Sequence, residues 1–248
     1  GSARWVGLGN YLTMLGSGEF WSAATHNAVW SLLFVGFSVA LGLAGAVLLA
    51  SLRSGQVFFR LMFFLPYTIA SVVGAAVWQN LYDPEKGFGR LPGLIGVDQL
   101  QGIAVLGDTR FALPAIALIN VWAYWGFLVV ILLAAMQGIS PELYEAAEID
   151  GGNSWQKFVH VTVPGIRSTL IFVIVISTMF SLLAFDYIWA TTRGGPAGAT
   201  EVAGTLLYRE AFQRFNVGYA SALGVSTAIV CGAIGLVYVL LRRRGWEI

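Results

Sequence analysis

The sequence predicts an all-α membrane protein, and three observations carry the prediction. Charged residues make up only 11% of the 248, against 57% hydrophobic; a soluble domain carries about 25% charged residues. Mean hydropathy is +0.75. The apolar residues gather into five runs, about 27–52, 58–82, 111–136, 166–190 and 219–241. Each is long enough for a tilted membrane helix, which needs roughly 20 apolar residues. The formal net charge is +1 and the chain has two lysines, so no nucleic-acid surface is expected. The single cysteine, Cys231, lies in an apolar run, which argues against a disulfide framework or a thiolate metal site. No cleavable signal with a basic start is visible.

Residues 5–21 are short, mixed and rich in aromatics. They read as an interfacial segment with aromatic anchors, so 1–26 is expected to lie at the membrane surface. The first span carries Gly36, Ala40 and Ala44 at four-residue spacing, and the last carries Ala220, Gly224, Ala228 and Gly232. Such small-residue stripes predict close helix approach in lipid. Pro66 lies well inside the second span and should kink it. Pro114 sits near the start of the third, where proline is tolerated.

Residues 83–110 and 191–217 read as long, polar, glycine-rich loops on the N-terminal side of the membrane. Residues 51–57, 137–165 and 242–244 fall on the other side. The fourteen Lys and Arg divide evenly between the two sides. Orientation follows charges in short loops and near helix ends. Arg53, Arg60 and Arg242 to Arg244 fit that description, so the 137–165 side is expected to be cytoplasmic.

The stretch 141–164, PELYEAAEIDGGNSWQKFVHVTVP, is the longest polar-mixed segment between strongly apolar runs. Ser140 is placed to cap a helix, Pro141 suits its first position, and Glu142 faces the positive helix end. Gly151 and Gly152 should stop it after about ten residues. That is roughly 15 Å, half a bilayer, so this helix does not span. A second short helix should start with Asn153 as cap and Gln156 three residues on, and end at Pro164. On the first helix Leu143, Ala146 and Ala147 form one stripe, while Glu142, Glu145, Glu148 and Asp150 crowd the rest. The slim alanine waist suits a helix lying in a partner's groove. An ordinary acidic surface turn is the alternative.

Glu145-Ala146-Ala147, then Gly151, then Val161, Val163 and Pro164 resemble the EAA loop of binding-protein-dependent ABC importers. That family's pattern is EAA, three residues, Gly, nine residues, Ile, one residue, Leu-Pro. The spacing is kept here, with Val161 and Val163 as mild apolar replacements. Residues 59–89 are similar to the matching span and loop of sugar-importer permeases. GGPAGATE followed by LLYREAF is similar to a segment of the permease type that pairs with a second, non-identical permease. WVGLGNYLTML resembles a stretch that comes after an additional membrane helix in that family.

The resemblance covers essentially the whole chain. It implies that residues 1–248 form one permease domain with the fold of a type I ABC importer transmembrane domain. Five spans are then expected here, against a family core of six, with one N-terminal helix missing. Residues 137–165 become the cytoplasmic coupling loop. Glu142, Leu143, Glu145, Ala146, Ala147, Asp150 and Gly151 become the interface with an ATPase. The implied partners are a second permease, a dimer of ABC ATPase subunits, an extracytoplasmic solute-binding protein and membrane lipid. ATP and Mg would bind the ATPase, with no cofactor on this chain. The implied mechanism is alternating access in a bacterial or archaeal cytoplasmic membrane.

The residues support a non-enzymatic reading. No GxxxxGK[ST], HExxH or GxSxG pattern occurs, and neither lysine follows a glycine-rich turn. His26 and His160 are isolated and read as structural. Substrate contacts must then come from polar and aromatic groups within the spans. Asn120 and Tyr124, four apart on one face near Trp122 and Trp125, are candidates, as are Asp186, Tyr187 and Trp189. Aromatic faces beside hydrogen-bonding groups suit a sugar ring, whereas the alternative for Tyr187 and Trp189 is the interfacial belt. Asp186 is a functional candidate because ionisable groups in spans are rare, though it could instead reach water or pair with Arg193. The expected solute is a di- or oligosaccharide. Glycerol 3-phosphate or another small polar solute is the alternative, and an ion-coupled secondary transporter is the reading from another class.

Overall fold

The structure is a computed structural model that describes residues 5–52, 54–88 and 104–243. Every regular element among the described residues is helical. In chain order they are α1 (Gly9–Leu15), α2 (Gly18–Ser51), α3 (Gln56–Phe64), α4 (Ser71–Leu81), α5 (Ala112–Gln137), α6 (Pro141–Ile149) and α7 (Ser154–Lys157). They continue with α8 (Arg167–Leu182), α9 (Asp186–Thr191), α10 (Ala203–Tyr208) and α11 (Val217–Arg243). Four segments are long and apolar enough to cross a membrane: Gly18–Ser51, Ala112–Gln137, Arg167–Thr191 and Val217–Leu240. The pair Gln56–Thr68 and Ser71–Leu81, bent by 96° at its break, makes five if it is counted as one span. Each of the five expected runs is helical, with two differences in continuity.

The second run is broken rather than kinked. Pro66 sits in a tight turn, Leu65–Thr68, that ends α3. Ile69 and Ala70 are extended, and α4 then starts in a new direction. The fourth run is interrupted at residues 183–185, between α8 and α9. The N-terminal segment also differs in detail. α1 ends at Leu15 and α2 begins at Gly18, so residues 18–26 are the first turns of a 34-residue helix. At 1.5 Å per residue that helix is about 51 Å long, more than the roughly 30 Å hydrocarbon core.

The chain divides into two compact units, the first being Gly1–Phe34, Ala70–Asn120 and Met179–Ala233. Its polar centre is Asn27, only 5% exposed. The Asn27 amide donates to the Ser181 carbonyl at 3.2 Å and accepts from the Ala203 N–H at 2.7 Å. One turn along α2, Ser31 and Ser181 share a 2.7 Å hydroxyl bond. These bonds tie α2 to the end of α8 and to the start of α10.

Residues 191–217 were expected to be a long, polar, glycine-rich loop, and much of the segment is buried. Thr200, Val202, Thr205 and Leu206 are fully enclosed, as nearly are Glu201 and Glu210. The carboxylates are compensated by charge. Arg209 pairs with Glu201 at 2.8 Å, and Arg214 with Glu210 at 2.6 Å and with Glu19 at 2.8 Å. Burial pushes the Glu201 carboxyl above its ordinary range, against the pull of Arg209. Residues 89–103 of the other expected loop lie outside the described residues.

The second unit comprises Val35–Ile69, Val121–Thr178 and Ile234–Ile248. Here small residues let helices approach. A Cβ on Gly42 would sit 2.7 Å from the Leu128 Cβ, and one on Gly45 would sit 2.7 Å from Val129. A Cβ on Gly126 would overlap the Phe63 carbonyl. The expected stripe Gly36, Ala40 and Ala44 is exposed, and nothing lies within 4 Å of a Cβ at Gly36. The packed stripe is the neighbouring one, Ser38, Gly42 and Ala46, also at four-residue spacing and wholly buried. In the last helix only Ala220 and Gly224 of the expected stripe pack, Gly224 against Leu207; Ala228 and Gly232 are exposed.

Two outcomes are expected from this packing. Gly126→Ala should lower stability in detergent by about 1–3 kcal/mol, the usual range for overpacking, whereas Gly36→Ala should leave the melting temperature unchanged. Asn27→Leu should cost about 1–3 kcal/mol, because it removes the bond to the Ser181 carbonyl and the acceptor of the Ala203 N–H. Thermal unfolding of the purified variants, read by tryptophan emission, checks both.

Candidate functional site

The segment between α5 and α8 forms a self-braced projection within the second unit. Pro141 occupies the first turn of α6, and Ser140 stands at the cap position, but its hydroxyl makes no capping bond. The helix end is built as expected. Gly151 is left-handed at φ 77°, its N–H bonds to the Glu148 carbonyl at 3.0 Å, and the Gly152 N–H bonds to the Ala147 carbonyl at 2.8 Å. This is the paired closure of a Schellman stop. Only a residue tolerating φ > 0 fits at Gly151 without strain.

The capping box at α7 is present in full. The Asn153 N–H donates to Gln156 Oε1 at 2.8 Å, and the Gln156 N–H donates to Asn153 Oδ1 at 2.9 Å. Pro164 does not end this helix directly. The chain passes through a π turn, Phe158–Thr162, and Pro164 lies in the next short turn, Val163–Gly165. A widened turn ahead of a proline relieves the clash of its ring with the preceding carbonyls.

Two side-chain bonds fasten α6 to the turns C-terminal to it. Tyr144 bonds the hydroxyl of the buried Thr162 at 3.0 Å, and Lys157 reaches Glu148 at 2.5 Å. The Lys157 ammonium holds the Glu148 carboxyl below the usual carboxylate range. Tyr144 and Ala147 are half-buried, whereas Glu142, Leu143, Glu145, Ala146 and Asp150 are exposed, as is Gly151. Leu143 is 54% exposed. Beside the helix opens a groove of about 710 Å³ whose walls include Val47, Met136, Pro141, Tyr144 and Glu145.

Two bare apolar side chains on this projection escaped the sequence reading. Ile149 is 87% exposed and Trp155 is 70% exposed. Their signal lies in the stretch itself: the helix stop and the capping box leave both side chains just outside the short helical faces that pack. Leu143 is likewise an exposed large apolar side chain on this segment.

The residues expected along a substrate path divide between the units. In the second unit Tyr124 is buried, accepts from the Ser177 hydroxyl at 3.3 Å and lies beside Tyr67 and Phe127. Tyr67, which the sequence reading passed over, stacks on Phe127 at 4.8 Å and is partly exposed. In the first unit Asn120 is half-buried, and Asp186 is exposed at the first turn of α9. Tyr187 is buried against Gly74, whose Cβ would sit 3.3 Å from the Tyr187 hydroxyl. Trp189 is half-buried and stacks on Phe185 at 5.6 Å. The two histidines bond backbone carbonyls, His26 to Glu201 at 2.9 Å and His160 to Gln156 at 3.0 Å.

Comparison with known proteins agrees with this architecture. Residues 38–245 match the family model for the binding-protein-dependent transport system inner membrane component. A probable ABC transporter permease of Pyrococcus horikoshii is 32% identical over 99% of this chain and 84% of its own length. A trehalose/maltose transport system permease of Thermococcus litoralis is 31% identical over 96% of this chain and 80% of its own. The crystal structure of a bacterial ABC transporter for import of the acidic polysaccharide alginate superposes with a TM-score of 0.89, at 26% identity, over 99% of this chain and 86% of that one. The fold is thus that of an ABC importer transmembrane component, and the chain belongs to the family of binding-protein-dependent transport system inner membrane components.

Proposed function

We propose that this chain is the permease subunit of an ATP-driven importer for a di- or oligosaccharide, and that α6 couples it to a separate ATPase. The observation that carries the coupling role is the combination of a rigid helix and a bare surface. α6 is stopped and braced by its own segment, yet Leu143 and Ile149 stay in solvent. A face that is fixed but uncovered fits a docking element. Glu142, Leu143, Glu145, Ala146, Ala147, Asp150 and Gly151 form that interface in this reading.

The solute class rests on the relatives, which include the trehalose/maltose permease and the alginate importer. A second structure of the alginate transporter contains a periplasmic protein bound to alginate pentasaccharide. An extracytoplasmic binding protein, a second permease and a pair of ATPase subunits holding ATP and Mg are therefore the partners of this chain in the proposed assembly. Asn120, Tyr124, Asp186, Tyr187 and Trp189 are its candidate path residues. Their chemistry, hydrogen-bonding groups beside aromatic faces, suits hydroxyls and apolar C–H faces of sugars.

Purification from native membrane in mild detergent should bring down a second permease and a P-loop ATPase, identified by mass spectrometry. A chain recovered alone under every nucleotide condition would remove the reading. Within the assembled transporter, Glu145→Lys should abolish ATP-driven uptake while membrane insertion is retained. Gly151→Pro should do the same, since proline is held near φ −65° and Gly151 needs φ 77°. Uptake by proteoliposomes, with insertion read by alkaline extraction, checks both variants.

A further inference from the structure

The first unit leaves two apolar features bare where two spans begin. The first is α1. Leu8 stands at its cap position, and Leu12 and Leu15 follow on the helix. Side chains four and three residues apart share a helix face. All three are exposed, Leu12 by 70%, and so is Trp5 ahead of them. The helix is held down at the same time. Met14 is buried in a cluster with Ala23 of α2, Leu206 of α10, and Tyr219 and Leu223 of α11. Gly218, in the first turn of α11, has the Asn10 amide 2.7 Å from where a Cβ would sit.

The second feature is the turn that leads into α11. Phe215 is left-handed at φ 54° and 80% exposed. A bulky residue at positive φ is strained, and it persists only where its surroundings over-determine it. Here they do. The Arg214 N–H bonds to the Arg209 carbonyl at 2.9 Å, and the Asn216 N–H bonds to the Glu210 carbonyl at 2.8 Å. The Arg214 guanidinium holds both Glu19 and Glu210. The turn thus fixes an aromatic ring in the open, two residues before α11 starts.

Position, chemistry and continuity name what covers them. α2 and α11 are both long and apolar enough to cross a membrane, and α1 packs near the start of each. Tyr219 and Leu223 are the third and seventh residues of α11. α1 therefore crosses it roughly 3–9 Å inside its first residue, at 1.5 Å per residue, the depth at which a span meets the headgroups. Residues 5–18 carry no charged side chain, whereas a surface for a water-soluble partner has a polar rim. Bare apolar side chains continue from this level along both spans, at Val29 and Leu32 of α2 and at Val225 and Ile229 of α11. Tryptophan beside apolar side chains at such a boundary is the composition of a segment lying in the membrane interface.

We infer that α1 and the Phe215 turn form an interfacial foot, resting in the headgroup–acyl boundary of the leaflet where α2 and α11 begin. Trp5, Leu8, Leu12, Leu15 and Phe215 enter that boundary. Binding comes from burial of apolar surface, with no requirement for anionic lipid, because the stripe carries no cation to attract it. The foot fixes the depth of both spans at one end. It is narrower than residues 1–26, since residues 18–26 belong to α2, and it adds a piece from a distant stretch of chain. It goes beyond the transport reading and stands without it.

The test uses the chain purified with its partners and returned to liposomes of phosphatidylcholine. Leu12→Cys and Phe215→Cys, each in a Cys231→Ser background, offer a single thiol, because Cys231 is the only native cysteine. Both positions are exposed, so a fluorescent thiol label leaves the core intact. The expected result is loss of most of the fluorescence of both labels in phosphatidylcholine brominated near the headgroup end of its chains. The loss should be smaller with bromine near the chain terminus, and unchanged when phosphatidylglycerol is added. Quenching of either label by aqueous iodide, with none by brominated lipid, would overturn the foot. So would shielding from both quenchers, which would show a protein partner on the stripe. Stronger quenching by the deeply brominated lipid would place the stripe in the acyl core and overturn the interfacial depth. Lipid quenching that appears only with phosphatidylglycerol would overturn the charge-free mode of binding. None of these outcomes touches the importer reading, and a chain that transports no sugar leaves the foot standing.

Discussion

A buried amide governs the first unit. Asn27 has no room to reach water, so its donor and its acceptor must both be satisfied inside the protein. It does this by holding the Ser181 carbonyl, close to where α8 ends, and the Ala203 N–H, where α10 begins. Both are backbone groups at helix termini, which leave four donors or four acceptors without helical partners. Within a bilayer such groups are tolerated only where protein or trapped water satisfies them. Asn27 therefore makes the interruption at residues 183–185 and the re-entry of the chain at α10 compatible with a membrane. The enclosed carboxylates Glu201, just before α10, and Glu210, just after it, are matched by Arg209 and Arg214.

The second unit solves a different problem, that of backbone approach. α3 can lie against α5 because Gly126 has no side chain where the Phe63 carbonyl passes. Gly42 and Gly45 do the same for α2 against Leu128 and Val129. Without a hydrophobic drive between helices in lipid, close van der Waals packing is what holds such pairs. Glycine placed at the crossing points makes that packing possible.

How much of this was legible in the sequence depended on how local the cause was. The α6 and α7 caps are decided within a few residues, so Gly151, Asn153 and Gln156 read correctly. Ser140 did not, because Pro141 and the backbone at that corner leave its hydroxyl unused. The five apolar runs were visible by length and composition alone. Which small residues face a neighbour was not, since Gly36, Ala40, Ala44 and Ser38, Gly42, Ala46 have the same period and differ only in phase. The enclosure of residues 200–210 was illegible for a similar reason. Glycines and charges there resemble an open loop until Arg209, Arg214 and Asn27 are placed around them.

The projection between α5 and α8 carries its own stop at Gly151, its own cap at Asn153, its own ion pair between Glu148 and Lys157, and its own hydroxyl bond between Tyr144 and Thr162. Every one of those bonds closes within the same short stretch of sequence. Its internal shape is consequently insulated from drift in the helices that carry it. Such a stretch behaves as a portable cassette, able to keep one fixed outline while the transmembrane walls around it diversify for different cargo.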